Sequence, residues 1–514
     1  FLREVGTTGG FKVGPWDPTR MGRVLDMAID QQDQLWIVEC QYHPKRITVY
    51  DKDGKFIREH FDRTIYGGGG ALDPNDRTLL YYGPLEFKLD YATGQTKLQN
   101  LTWLGNSPPA EQAITLNGHK YLVTRSNFYG TGVGVVYLYK QGVAQRVAAM
   151  GLADKFPPLQ AREFRQKLGA TTPDTLEFYW SDRNGDQEVQ WEEVVFAPRT
   201  IRSVGVFDHQ LGIHAGRVRY EPASFTPDGI PLYRRVELPL PDGLFYRLDN
   251  GNYFTMGQGG SRPAAAYSPT GELLWSYKTE GSGVHGLYSA GPFRPEQVVS
   301  EFNIIGHGRP QVGDLGEFVA ISANCGTWNI WTADGLLAGQ IFRDIRDNKA
   351  RHWSMREHDI GMLVPNVTAG QEHFWGNVTV AENGETYGVY GSTNVFSVDG
   401  IGDFKRFTGK VSVSQEAVAQ GIRTDREQQR RSVYRTARKL IALRVDQPIG
   451  IDGSLGDWPE GLPEVQLEQG GRDYSARLRV AWDDRMLYLG YEVNNLGPFK
   501  NTGNDFHQLF KTGG

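Results

Sequence analysis

The sequence predicts an all-β protein: a β-propeller with seven blades expected, then a helical linker, then a partial β-sandwich. Three observations carry this reading. Glycine is abundant, at 63 residues, and aromatics reach 12%; glycine supplies the positive φ of tight turns, and aromatic rings suit pleated, half-buried surfaces. A pattern of short alternating runs, divided by polar or glycine turns, returns from about residue 20 to about residue 410, in the manner of repeated blades. The alternation stops over 414–440 and resumes near 447. The expected units are therefore 1–412, 413–446 and 447–514.

The first blade reads VLDMAID, LWIVEC, ITVYD and KFIREHF within residues 24–61. The pattern returns at 70–104, 113–150, 243–277, 316–342 and 377–407, which suggests six to eight blades, seven the expected number. Its sharpest shared element is a strand tail, two residues, a glycine and an outer strand: YDKDGKFI, YSPTGELLW and WTADGLLAG. Through these tails, residues 20–410 resemble the NHL/WD-type propellers of large secreted bacterial proteins. A β-helix would repeat over shorter periods, and a sandwich would not repeat four strands so often.

Composition excludes several classes. The 514 residues exceed one ordinary core, while 39% hydrophobic and 22% charged residues are normal for a folded chain. A net charge of −5 leaves no basic excess to displace counterions from nucleic acid. No apolar run reaches the roughly 18 residues of a membrane span. The chain opens on Phe1 without a visible signal peptide, as expected of a processed or trimmed N-terminus. Cys40 and Cys325 are the two cysteines, too few for a disulfide framework or a Cys-rich zinc site. Their pairing stays open; two buried free thiols is the simpler reading.

One motif is specific. Asp182, Asn184, Asp186, Glu188, Gln190 and Glu193 occupy positions 1, 3, 5, 7, 9 and 12 of an EF-hand-type calcium loop, Glu188 through its backbone carbonyl. Calcium takes six to eight hard oxygen ligands, and this spacing folds oxygens around one point. Val189 is the apolar residue that pins such a loop. Position 6 normally carries glycine for the sharp turn, but here it is Gln187, with Gly185 one place earlier. LEFYWS before the loop reads as a strand, so a solitary structural site is expected; an ion-free acidic turn is the alternative. Millimolar extracellular calcium would fill even a weak site, which favours a secreted, extracellular or cell-surface address, with the periplasm as an alternative.

A second candidate site follows from the propeller expectation, since ligands bind where loops lead into the innermost strands. His285, His307, His373 and Arg23 precede such strands, with Glu372 and Trp375 beside His373. Converging imidazoles hold a transition metal or serve as acid and base. The alternative is that each is a structural histidine. His209 and His214 are five residues apart in a strand-like context, a poor spacing for joint ligation, and are set aside. Tyr66 and Trp375 suit either sugar stacking or a core.

Past the blades, 414–440 carries seven basic residues between Arg423 and Lys439. It reads as a helix-containing linker with Ser414 as N-cap and Glu416 in the first turn, its basic run either solvated or touching a polyanion. The following Ile451, Asp452 and Gly453, then Gly456, Asp457 and Trp458, then Ala481, Trp482 and Asp483 with Leu487, Tyr488 and Leu489, resemble family-9 carbohydrate-binding modules. That resemblance implies a glycan ligand and a β-sandwich. A sandwich needs on the order of 100 residues, so further sequence is expected downstream.

Three functions fit these features. The first is a secreted calcium-binding propeller that binds extracellular or cell-surface polysaccharide without catalysis. The second is a polysaccharide lyase or glycoside hydrolase using His285, His373 and Arg23. The third is a structural component that docks proteins on its propeller faces.

Overall fold

The computed structural model describes residues 4–494, apart from 41–43, 63–68, 106–108, 127–131, 256–263, 278, 280–285, 292, 296, 353–360, 362–365, 373–374, 392–393, 411, 425–441, 457 and 469–474. The chain divides into two compact units, 1–410 and 411–514.

In the first unit, seven antiparallel meanders follow one another along the described chain. The first sheet comprises Val24–Ile29, Leu35–Cys40, Lys45–Tyr50 and Phe56–Asp62. The second comprises Ala71–Asp73, Asp76–Tyr82, Leu85–Leu89 and Thr96–Leu101, with Gly14–Pro15 added at its outer edge. The third holds six strands, from Gln112–Leu116 through Leu176–Ser181 and Val194–Pro198. The fourth runs over Ile213–Ala215, Val218–Phe225 and Pro231–Glu237. The fifth starts at Phe245–Arg247 and Tyr253–Thr255, the sixth at Glu301–Gly308 and Phe318–Ala323, and the seventh at Asn377–Val380 and Thr386–Tyr390.

The recurring tail has a local cause. In the hairpins of the first, fifth and sixth sheets, Asp51, Ser268 and Thr332 each accept, through a side-chain oxygen, the backbone N–H four residues on. Gly54, Gly271 and Gly335 then take positive φ of 82°, 88° and 95°, and each hairpin carries a register shift beside the turn. Glycine in the left-handed region with an adjoining bulge is the geometry of a longer hairpin loop.

Six of the seven sheets close a ring. The second meets the third through Tyr81, Leu122 and Tyr137, and the third meets the fourth through Ile114, Tyr121, Ile213 and Tyr220. His214 lies edge-on to Phe245 at 4.9 Å between the fourth and fifth. Tyr246 and Phe254 pack with Ile304 and Val319 between the fifth and sixth. Phe318 and Trp328 join Val378 and Tyr390 between the sixth and seventh, where Gly306 bridges Val378 in parallel. A Cβ on Gly306 would stand 2.1 Å from the Val378 carbonyl oxygen, so that crossing needs glycine. The ring shuts where Tyr387 and Val389 of the seventh sheet pack on Leu72 and Leu80 of the second, and Asn377 Oδ1 accepts the Leu72 N–H at 3.2 Å.

Seven meanders thus follow one another along the described chain, the last two joined in one seven-stranded sheet, whereas the closed ring uses six of them rather than the seven expected. The seventh sheet takes the face of the second that the first sheet would need. The first sheet instead meets the second through Phe61 against Phe87, 5.8 Å between centroids, and every residue of Val24–Ile29 is exposed. The N-terminal segment covers the same face, with Trp16 6.3 Å from Phe61. There the fully buried Arg46 pairs with Glu39 and Glu59, both at 2.7 Å, and lies over the Trp16 ring at 4.8 Å.

In the second unit, residues 415–424 are helical, and Ser414 Oγ accepts the Ala417 N–H at 3.1 Å, the N-cap bond that a serine there supplies. Ser475–Trp482 pairs along its length with Leu487–Asn494 on one side and with Glu464–Glu468 and Leu443–Arg444 on the other. Trp458 is buried with Val445, Ile449, Ala481 and Tyr488, while Leu487, Leu489, Tyr491 and Val493 stay exposed. Among the described residues no helix is long and apolar enough to cross a membrane.

Candidate functional site

The acidic loop 182–193 links the fifth and sixth strands of the third sheet. Asp182 is fully buried, and its backbone N–H is held by the Val147 carbonyl at 2.9 Å. Its Oδ1 and Oδ2 accept the N–H groups of Gly185 and Gln187 at 2.9 and 3.0 Å. Asn184 Oδ1 accepts from Asp186 and Asp186 Oδ1 from Glu188, at 3.1 and 2.9 Å. These successive side chain-to-backbone turns curl the backbone from position 1 to position 7, but the carboxylates of Asp182, Asp186 and Glu193 do not all come within 4.8 Å of one another. Gln190 Oε1 lies 3.0 Å from Asn184 Nδ2.

Glu193 closes the loop. Its Oε1 accepts the Arg183 N–H at 2.7 Å and its Oε2 accepts Trp180 Nε1 at 3.0 Å. Gln187 adopts φ of +66°, the backbone that position 6 requires, without the glycine that adopts it freely. Val189 packs against the core that contains Trp180 and Phe178. Burial, then the neighbouring charges of Glu193 and Asp186, hold the Asp182 carboxyl above its ordinary range despite two backbone hydrogen bonds. An all-oxygen donor set whose carboxylates repel one another suits a hard cation such as calcium.

A second cluster lies where three successive sheets turn. In the fourth sheet, Gly205 and Asp208 bond back to His214 and Gly212, so 208–212 is a hairpin turn and carries His209. The turn after Phe245–Arg247 in the fifth sheet carries Asp249, and the sixth supplies His307 near the end of Glu301–Gly308. One ligand-capable atom from each of His209, Asp249 and His307 lies within 4.8 Å of the others. His307 Nε2 is 2.8 Å from Glu317 Oε1, and its Nδ1 is 3.2 Å from His209 Nδ1. Burial pushes Glu317 up, but hydrogen bonds from His307 and from the Asp249 N–H outweigh it and leave the carboxyl below its ordinary value. His209 is depressed by burial of its ring among protein atoms and then by the charge of His307, although the residue as a whole is exposed.

Of the histidines singled out in the sequence, His307 is thus in a cluster, and its partner is His209, which spacing alone had set aside. His285 and His373 lie outside the described residues, as does Tyr66. Arg23 is exposed and precedes the first strand of the first sheet, off the six-sheet ring. Trp375 is half-buried beneath Arg125, whose guanidinium carbon is 4.8 Å from the ring centroid. His214 is buried against Phe245 and Tyr253, away from solvent. Both cysteines are free thiols; Cys325 is buried, whereas Cys40 is exposed. Asp249 and Glu317 carried no sequence signal of their own. The usable hint was positional, because Asp208–His209 and Asp249 both stand at the first turn of a meander.

A groove of about 1690 Å³ runs along the rim beside the seventh sheet, lined by Tyr91, Tyr387 and Phe396 among others. Its arginines are already engaged, Arg343 with Asp347 and Arg346 with Asp344, both at 2.6 Å, and it holds neither the acidic loop nor the histidine cluster.

No protein-family model and no curated relative matches the chain. Among solved structures it is similar to BamB from Moraxella catarrhalis, with 13% identity, a TM-score of 0.26, and coverage of 72% of this chain and 95% of that one. It is also similar to the Dos1 propeller, with 10% identity, a TM-score of 0.26, and coverage of 72% and 77%.

Proposed function

We propose that the chain is a secreted, calcium-stabilised β-propeller that binds extracellular or cell-surface polysaccharide. The observation that carries the proposal is the loop 182–193, where Asp182, Asn184, Asp186, Gln190 and Glu193 stand at calcium-loop positions and the buried Asp182 carboxyl is raised by burial and by the charges of Glu193 and Asp186. Calcium there would neutralise carboxylates that otherwise repel, with Glu188 contributing its backbone carbonyl, and would tie the last two strands of the third sheet together. Glycan binding draws its support from the second unit. Its sequence resembles family-9 carbohydrate-binding modules, and it exposes Trp482 and Tyr491, flat rings that can stack on the C–H face of a sugar.

Calorimetric titration of the chelator-treated chain with calcium tests the first half. One equivalent should bind, and at a free concentration a hundred times Kd the fold should gain about 2.7 kcal/mol. Asp182→Asn and Glu193→Gln should lose both effects, while the exposed Glu192→Gln keeps them. No heat and no shift in Tm would overturn the calcium site. For the second half, the chain should sediment with at least one member of a panel of insoluble polysaccharides, and Trp482→Ala should weaken that retention. Failure to bind any of them sinks the glycan reading and leaves the calcium result standing.

A further inference from the structure

Three consecutive sheets of the ring each bring one metal-binding group to the same place. We propose that His209, Asp249 and His307 form a binding site for a divalent transition metal, zinc by preference, with Glu317 positioning His307. This site is separate from the calcium loop in residues and in chemistry: two imidazoles and one carboxylate favour zinc and its first-row neighbours over a hard oxygen-seeking ion.

The hydrogen bonding selects the ligand atoms. Glu317 is buried, and its Oε1 receives both the Asp249 N–H at 2.6 Å and His307 Nε2 at 2.8 Å. A carboxylate accepting at Nε2 fixes the imidazole proton there and leaves the Nδ1 lone pair free, the arrangement by which carboxylates orient metal-bound histidines. That Nδ1 faces His209 Nδ1 at 3.2 Å. Two nitrogens each about 2.0–2.1 Å from a tetrahedral zinc stand roughly 3.3 Å apart, so the pair already has the spacing of two ligands on one ion. Asp249 joins the cluster with its Oδ2 3.9 Å from His307 Nε2, and one ligand-capable atom of each of the three groups lies within 4.8 Å of the others; a turn of this exposed carboxylate would bring it to an ion held between the two Nδ1 atoms.

The supports of these groups are stiff. Asp208 Oδ1 accepts the N–H groups of Gln210 and Gly212, at 2.9 and 3.0 Å, which shapes the turn that carries His209. The other Asp208 oxygen meets the buried Arg219 guanidinium. Arg219 presses so close that a Cβ on Gly212 would lie 1.9 Å from it. The same Glu317 oxygen that orients His307 anchors the backbone of Asp249, so one carboxylate fixes two of the three ligands. On the outer side the site is open, with His209 exposed and the Asp249 side chain 46% exposed. Three protein ligands and an open position leave room for water or a small anionic ligand on the metal.

A metal-free arrangement fits the same 3.2 Å spacing: His209 Nδ1–H donating to His307 Nδ1 in a plain hydrogen-bonded chain. Metal titration separates the two. The untagged chain, stripped with chelator and dialysed, is titrated with zinc chloride by calorimetry and with cobalt(II) by visible absorption. The expected result is one equivalent of zinc and the ligand-field bands of low-coordinate cobalt. His209→Ala and Asp249→Asn change exposed side chains, should leave the apo Tm near that of the parent, and should weaken zinc at least tenfold. Glu317→Gln should weaken it about 10–100-fold. Asp182→Asn in the acidic loop should leave zinc binding intact. Absence of zinc binding or of cobalt bands overturns the site, as does zinc binding that survives His209→Ala unchanged.

Discussion

At the scale of single residues, Asp182, Asn184 and Asp186 each accept a backbone N–H of their own loop, bonds between residues a few positions apart and therefore suggested by the order of residues alone. Gln187 shows the limit of such spacing: the strain foreseen at position 6 is a backbone fact, φ of +66°, and it belongs to the fold whether or not an ion is bound. Gln187→Gly should therefore raise stability by about 0.5–1 kcal/mol, the left-handed penalty less the greater freedom of glycine in the unfolded chain. Urea melts in chelator would show it, and a loss of stability would mean that the strain lies elsewhere. His214 makes a different prediction. Burial pushes it down to about 3, so below about pH 6.5 the unfolded chain takes up a proton that the fold refuses. Stability is then lost as pH falls from about 6.5 towards 3, by about 1.4 kcal/mol per unit from this residue. His214→Phe should remove that share of the difference between melts at pH 7 and pH 5.5. An unchanged pH dependence would show that the imidazole charges freely in the fold. By contrast, the meeting of His307 with His209 was not legible. It joins residues 98 positions apart, and local spacing says nothing about which turns a ring brings together.

At the scale of elements, hairpins were the best-read feature, because each is specified by residues within one turn. The tails ending in Gly54, Gly271 and Gly335 share side-chain acceptor, positive φ and bulge, but their surroundings differ and so should their tolerance. A Cβ at Gly54 meets only a Val5 methyl at 3.3 Å, whereas one at Gly271 would stand 2.0 Å from the Pro239 carbonyl oxygen. A methyl group can give way; a backbone carbonyl cannot without moving the chain. Gly54→Ala should cost about 1 kcal/mol of backbone strain, and Gly271→Ala clearly more in the same denaturant series. Equal costs would mean that the Pro239 segment shifts freely. The third sheet was harder to read as one element. Its fifth strand, Leu176–Ser181, pairs with Val143–Leu152 only after an excursion through a short helix, Arg162–Leu168, and that pairing is fixed by tertiary contacts such as Phe156 stacked on Phe178 at 5.0 Å.

At the scale of the whole molecule, counting repeats finds sheets but does not say which of them share an axis. Closure is decided by faces. Leu72 and Leu80 of the second sheet are buried by Tyr387 and Val389 of the seventh, which leaves the first sheet beside the ring with its leading strand in solvent. The alternation of VLDMAID resembles that of an inner blade strand, yet Val24, Leu25, Met27 and Ile29 are exposed, Ile29 at 71%. The same substitution in two leading strands distinguishes a six-sheet ring from a seven-sheet ring. Ile304, 3% exposed in the first strand of the sixth sheet, packs with Tyr246, Phe254 and Val319. Removing its side chain to the β-carbon leaves a cavity, and Ile304→Ala should cost about 2–5 kcal/mol. Ile29→Ala removes atoms that already face water and should stay within about 0.5 kcal/mol of the parent. Chemical denaturation of both variants with matched m-values reads the difference directly. A cost at Ile29 close to that at Ile304 would place the first sheet inside the ring and reject the closure between the seventh and second sheets.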